Sequence, residues 1–85
     1  MYKIQTSKIV DNFLAKHSDI RQRVLDKLEI LAQNPYKNTL DIQKLQGRDN
    51  RYRLRVGKYR ILYEIIENQI LIYAYDADSR GGIYK

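Results

Sequence analysis

The sequence predicts an α+β fold with the order β-α-α-β-β-β, a two-helix hairpin packed on one face of a small twisted antiparallel sheet. Three patterns predict it. Apolar residues recur at helical spacing in two successive stretches, Ile9, Val10, Phe13, Leu14 and then Ile20, Val24, Leu28, Leu31. From Arg51 to Tyr63 the spacing changes to strict alternation about Gly57, the mark of a half-buried hairpin. A second alternating pair, Tyr59–Ile66 and Gln69–Ala77, flanks Glu67-Asn68.

In chain order, Tyr2 to Thr6 alternates weakly and suits a short first strand. Ser7 is placed to cap a helix running to about His17. Ser18-Asp19 opens a second helix, where Asp19 and Gln22 have capping-box spacing. Leu25 and Ala32 widen its stripe, and Asn34-Pro35 ends it because a proline disfavours helical geometry in the residue before it. From Tyr36 to Asn50 the pattern is irregular and polar, with Leu40, Ile42 and Leu45 expected to tack the connection to the core. Gly47-Arg48-Asp49-Asn50 then turns the chain into the basic hairpin.

If Gly57-Lys58 is a two-residue loop, Val56 faces Tyr59, Arg55 faces Arg60 and Leu54 faces Ile61. A two-residue loop at Glu67-Asn68 would set Arg60 across from Tyr75, Leu62 from Tyr73 and Ile61 from Ala74. Tyr52, Leu54, Val56, Tyr59, Ile61 and Tyr63 then share the helix-covered face, extended by Ile65, Ile70 and Ile72. Arg51, Arg53, Arg55, Arg60, Tyr73 and Tyr75 share the open one. Leu71 and Tyr73 would leave a partly exposed apolar patch there.

Eighty-five residues suit one small domain spanning 1–85. Without cysteine, neither disulfides nor thiolate metal sites are possible, and with no signal-like apolar N-terminus the chain fits a cytoplasmic compartment. No apolar run approaches a membrane span. A formal charge of +6 and a pI near 9.7 point to a polyanionic partner. Arginine forks hold phosphate oxygens bidentately, and tyrosine rings stack on unpaired bases, which together equip a surface for single-stranded nucleic acid. Lys44 and Lys58 add to this set of RNA-binding residues. The lone His17, at a helix end, reads as a cap or a solvated residue. Asp76 and Asp78 lack the further ligands a cation needs. No metal or cofactor is expected. What remains is phosphoryl chemistry in which arginines stabilise developing charge and a ribose 2′-OH is the nucleophile.

Lys44-Leu45-Gln46-Gly47, the run Tyr52-Arg53-Leu54-Arg55-Val56-Gly57-Lys58-Tyr59-Arg60-Ile61-Leu62-Tyr63-Glu64, and the closing Ser79-Arg80-Gly81-Gly82-Ile83-Tyr84 resemble the RelE/ParE superfamily of toxins from type II toxin–antitoxin modules. The resemblance implies a metal-independent endoribonuclease that cuts mRNA in the ribosomal A site, leaves a 2′,3′-cyclic phosphate, and is silenced by an antitoxin that wraps it. It assigns Arg53, Arg55, Arg60, Arg80 and Tyr84 to the catalytic site. Lysines stand at the positions of Arg53 and Arg55 in the best-known enzyme of the family. Arginine does not give up its proton, so these two can hold phosphate but are poor bases. Tyr84 is then the proton acceptor, or the mechanism rests on electrostatics. Two other readings share the pattern: a ParE-like inhibitor of DNA gyrase, and a catalytically degenerate module that binds RNA or its antitoxin.

Overall fold

The computed structural model describes residues 1–47 and 49–79. Strand β1 (Lys3–Thr6) leads into helices α1 (Lys8–Lys16) and α2 (Ser18–Gln33), followed by strands β2 (Ile42–Lys44), β3 (Arg51–Val56), β4 (Tyr59–Ile66) and β5 (Leu71–Ser79). The two helices pack against one five-stranded sheet of order β1-β5-β4-β3-β2. The element order is the predicted one, with two changes. The polar connection contributes a short edge strand, β2, antiparallel to β3 with Ile42 opposite Leu54. And β1 lies parallel to β5, Lys3 opposite Leu71 through Thr6 opposite Ala74, so the sheet is mixed rather than wholly antiparallel. A four-residue strand carries no information about the direction of a partner some seventy positions away.

The helices form for the reasons their sequences suggest. Ser7 is extended, and its Oγ accepts from the Val10 amide at 3.2 Å, satisfying one of the orphan donors of the first turn. Val10 and Leu14 are buried on α1, and Ile20, Val24, Leu28, Leu31 and Ala32 on α2. Ile9 is an exception: it turns outward and is 58% exposed. The expected capping box does not form. His17 occupies the N-cap of α2 without a side-chain cap bond, and Gln22 donates instead to Asp26 one turn on. His17 is also the C-cap of α1, its amide donating to Phe13 O at 3.0 Å. Its ring packs 4.3 Å from Phe13 and 4.9 Å from Tyr59, so the side chain belongs to an aromatic cluster and is not simply solvated.

The β3–β4 hairpin has the expected register throughout, Val56↔Tyr59, Arg55↔Arg60 and Leu54↔Ile61. Gly57 carries the positive φ of 62° that a tight two-residue turn demands. The second hairpin differs. Its loop takes four residues, a 3₁₀ turn at Glu67–Gln69 followed by Ile70, so Ile66 pairs with Leu71. A bulge then adds one more residue: Leu62 faces Asp76 while Tyr63 faces Ala74, so Tyr75 is the extra residue at the register shift. Together these slide the far end of β5 by three positions. Arg60 faces Asp78 instead of Tyr75, Leu62 faces Asp76 instead of Tyr73, and Ile61 faces Ala77 instead of Ala74.

The bulge is anchored. Ser7 Oγ donates to the Tyr75 carbonyl at 2.9 Å, and the Ser7 amide donates to the Ala74 carbonyl at 2.9 Å. One residue therefore caps α1 and occupies two carbonyls at the irregular point of β5. Ile70, expected in the core, is 53% exposed and sits in the left-handed region at φ 49°, a costly place for a β-branched side chain.

Two stability measurements follow. Ser7→Ala should lower the unfolding free energy by about 1–2 kcal/mol in urea titration, since it removes a cap and leaves the bulge carbonyl without its hydroxyl donor. Ile70→Gly should raise it by about 1 kcal/mol, because little buried surface is lost and the φ strain is relieved.

Candidate functional site

The alternation of β3 and β4 places Arg51, Arg53, Arg55 and Arg60 on the face away from the helices, as their spacing predicts. Three rows cross β3, β4 and β5 on this face: Arg51–Glu64–Tyr73, Arg53–Leu62–Asp76 and Arg55–Arg60–Asp78. The face is thus not a plain basic surface with tyrosines. Each row of arginine ends on or contains an acid, and Leu62 in the middle row is buried at 5% although it lies outside the helix-covered core.

The arginines are held by short-range partners. Arg51 Nε lies 3.6 Å from Glu64 Oε1, while Asn50 Nδ2 donates to Glu64 Oε2 at 2.8 Å. The Arg51 guanidinium also sits over the Tyr75 ring, 4.9 Å from its centroid, so the extra residue at the register shift covers the first arginine of β3. Arg53 Nη2 donates to Gln43 Oε1 across the β2–β3 pair. Arg55 Nε lies 3.1 Å from Asp41 Oδ2, both side chains being more than half exposed. Such a solvated pair contributes about 0–1 kcal/mol and exchanges readily for another anion.

Beside these residues lies an open cleft of about 500 Å³ lined by Gln43, Lys44, Leu45, Gln46, Arg51, Arg53 and Tyr75. It brings together four of the residues singled out from the sequence, Lys44, Arg51, Arg53 and Tyr75. Arg55 and Arg60 lie along the same face toward the hairpin tip. Lys58 is on the tip itself, its ammonium 5.6 Å from the Tyr59 ring centroid, apart from the cleft. Tyr73 is half-buried one row from Tyr75, and Leu71 is likewise half-buried. Arg80 and Tyr84 lie outside the described residues.

Asp41, Gln43, Gln46, Asp76 and Asp78 are the neighbours that sequence reasoning did not place. The first three arrive through β2, which is too short to announce itself, and the last two through the bulge. Among the described residues no group of three or more His, Cys, Asp or Glu side chains is placed to hold a metal ion, and no helix is long and apolar enough to cross a membrane.

On the opposite face, Tyr52 and Tyr63 stack with centroids 5.5 Å apart at 17°. The Tyr63 hydroxyl is buried and has no hydrogen-bond partner among the described residues. Burial, and secondarily the Tyr52 phenol, push its ionisation well above the ordinary phenol range.

An arginine-lined sheet face opposite a packed helix pair defines a small basic α+β domain with one polar, uncovered sheet face. Residues 4–76 match the family described as ParE toxin of type II toxin–antitoxin system, parDE. The chain is 37% identical over 59 residues to a Methanocaldococcus jannaschii protein described as a RelE1 toxin, covering 68% of this chain and 66% of that one. It superposes with a TM-score of 0.71 on the RelB–RelE antitoxin–toxin complex from Methanococcus jannaschii, at 31% identity and 95% coverage of both chains. With the archaeal RelE–RelB complex from Pyrococcus horikoshii OT3 the TM-score is 0.77 at 26% identity, covering 95% of this chain and 97% of that one. The isolated Escherichia coli RelE toxin, 18% identical, shares the fold with a TM-score of 0.77 over 99% of this chain and 92% of its own. The chain belongs to the RelE/ParE superfamily and is a toxin of a type II toxin–antitoxin system.

Replacing Tyr63 with Phe should raise stability by about 1 kcal/mol, since it deletes a buried hydroxyl that lacks a partner. The raised ionisation has a second consequence. In the unfolded chain Tyr63 ionises near the ordinary phenol value of 10.0, whereas in the folded protein it stays protonated to higher pH. The folded state therefore loses stability as pH rises above that value. Alkaline denaturation followed by circular dichroism should show this loss in the wild type and a smaller one in Tyr63→Phe.

Proposed function

We propose that this toxin is a RelE-like endoribonuclease that cleaves mRNA on the ribosome and so inhibits translation. The observation that carries the reading is the convergence of Arg51, Arg53, Arg55 and Arg60 on one sheet face, beside a cleft that Lys44 and Tyr75 also line. Guanidinium groups held in fixed orientations stabilise the charge that develops on a phosphate as its 2′-oxygen neighbour attacks. In this reading Arg53, Arg55 and Arg60 grip the scissile phosphate, Arg80 joins them, and Tyr84 is a polar group at the reacting centre. Arg51, Lys44, Lys58, Tyr73 and Tyr75 hold the flanking RNA by charge and by stacking, the latter worth about 1–3 kcal/mol per base. The nucleophile is the ribose 2′-OH and the product a 2′,3′-cyclic phosphate, a route that asks for no metal or cofactor. The 37% identity to a RelE1 toxin supports it.

A cognate antitoxin is the expected protein partner, because the archaeal relatives at 26% and 31% identity were crystallised in complex with RelB. Its acidic residues would meet the arginine face. The cytoplasm, where ribosomes and antitoxin are found, is the place of action in this reading.

Gyrase inhibition is the second reading, favoured by the match of residues 4–76 to the ParE family. The two are separated by one pair of assays. Primer extension on translated mRNA should show cleavage by the wild type, lost in Arg60→Ala and Arg80→Ala together with growth inhibition, while circular dichroism stays unchanged. Gyrase supercoiling should be unaffected by any of the three. Full toxicity of both variants would remove these arginines from the site, and inhibition of supercoiling without cleavage would establish the second reading.

A further inference from the structure

The ribonuclease reading leaves one step without an agent. A proton must leave the 2′-OH, and arginine does not accept one. A phenol is protonated at neutral pH and would have to lose its own proton first. Carboxylates on the arginine face have no such obstacle. Among the described residues, four stand close to it: Asp41, Glu64, Asp76 and Asp78.

Three of them are poorly placed. Asp41 sits on the loop before β2, facing solvent and paired with Arg55. Both oxygens of Glu64 are engaged, one by Arg51 and the other by Asn50. Asp76 stands across from the apolar Leu62, so it has no arginine directly opposite it on β4. Asp78 differs. It is directly across the ladder from Arg60, which is itself directly across from Arg55. Adjacent strands are about 4.8 Å apart, so a phosphate gripped by the Arg55–Arg60 pair has the Asp78 carboxylate as the next side chain in its row. Oδ1 of Asp78 accepts from the Ser79 amide at 2.7 Å, a bond that restrains the carboxyl group and leaves its second oxygen outside that contact.

This placement exists only because of the bulge and the long β4–β5 loop. With the tight turn the sequence suggests, Tyr75 would occupy the position opposite Arg60. We infer that Asp78 is the proton acceptor for the ribose 2′-OH, in a row where Arg55 and Arg60 hold the adjacent phosphate. The inference rests on the ribonuclease reading and deepens it. In the step, the O2′–H bond breaks and its proton passes to Asp78 Oδ2. The O2′–P bond forms, the P–O5′ bond breaks, and the 5′-oxygen leaves with a proton from water. The products are a 2′,3′-cyclic phosphate and a 5′-hydroxyl, with no change of oxidation state.

The test uses the full chain on ribosomes programmed with a defined mRNA, measuring single-turnover cleavage at saturating toxin and, separately, toxin affinity for the same ribosomes. Asp78→Asn keeps size and polarity and should lower the cleavage rate by about 10²–10⁴-fold, the usual contribution of a positioned base, with affinity unchanged within about threefold. Asp78→Glu should recover part of the rate. Cleavage by Asp78→Asn within a few-fold of the wild type would overturn the inference and leave the ribonuclease reading standing, as would a loss of rate matched by a loss of affinity. Absence of cleavage by the wild type itself would overturn both.

Discussion

The β4–β5 register is the constraint on which the rest of the molecule depends. β5 is the second strand from the edge, pairing antiparallel with β4 on one side and parallel with β1 on the other. Its buried half, Ile72 and Ala74, is anchored in the core beneath the helices, and its other half continues past the bulge at Tyr75 along the arginine face. Ser7 joins the two halves. Through its amide and hydroxyl it ties the start of α1 to the carbonyls of Ala74 and Tyr75, so the end of β1, the first helix and the irregular point of β5 are one hydrogen-bonded unit. The parallel pairing of β1, the seating of α1 and the composition of the open face all descend from that unit.

The bulge also resolves an electrostatic difficulty. Arg55 directly opposite Arg60 is unfavourable as an isolated cross-strand pair. Sliding β5 by three positions places Asp78 next in that row and Asp76 next in the row of Arg53, while Glu64 already stands opposite Arg51. Asp41 adds a further carboxylate at Arg55 from the loop before β2. The face stays basic in sum, but its cations are held apart and oriented by acids and amides. A guanidinium already oriented by a neighbour loses less freedom on binding an anion than a free one does.

The two sides of the sheet divide the work. The helix-covered side is packed with aliphatic and aromatic residues, including a Tyr63 hydroxyl with no hydrogen-bond partner among the described residues. The other side carries the polar machinery on rigid strands and not on loops. A toxin family can keep the first side and alter the second, so that membership in the RelE/ParE superfamily establishes scaffold and module while the target is decided by a handful of side chains.

Much of this was legible in the residues. Helical spacing in α1 and α2 identified the core of both helices, with Ile9 the exception, and alternation about Gly57 set the first hairpin to the residue. Both are local signals: side chains three or four apart on a helix, or opposite one another across a two-residue turn, are brought together by backbone geometry alone. Arg51, Arg53, Arg55 and Arg60 lie on that hairpin, which is why their shared face could be read from spacing. What the sequence could not determine was decided at long range. The direction of β1, the short strand β2 with Gln43, and the three-residue slide that brings Asp78 to Arg60 each depend on contacts between segments distant in the chain. No periodicity encodes an inserted residue such as Tyr75 at the register shift. It is tolerated there because Ser7, sixty-eight positions earlier, donates its hydroxyl to the carbonyl of that residue.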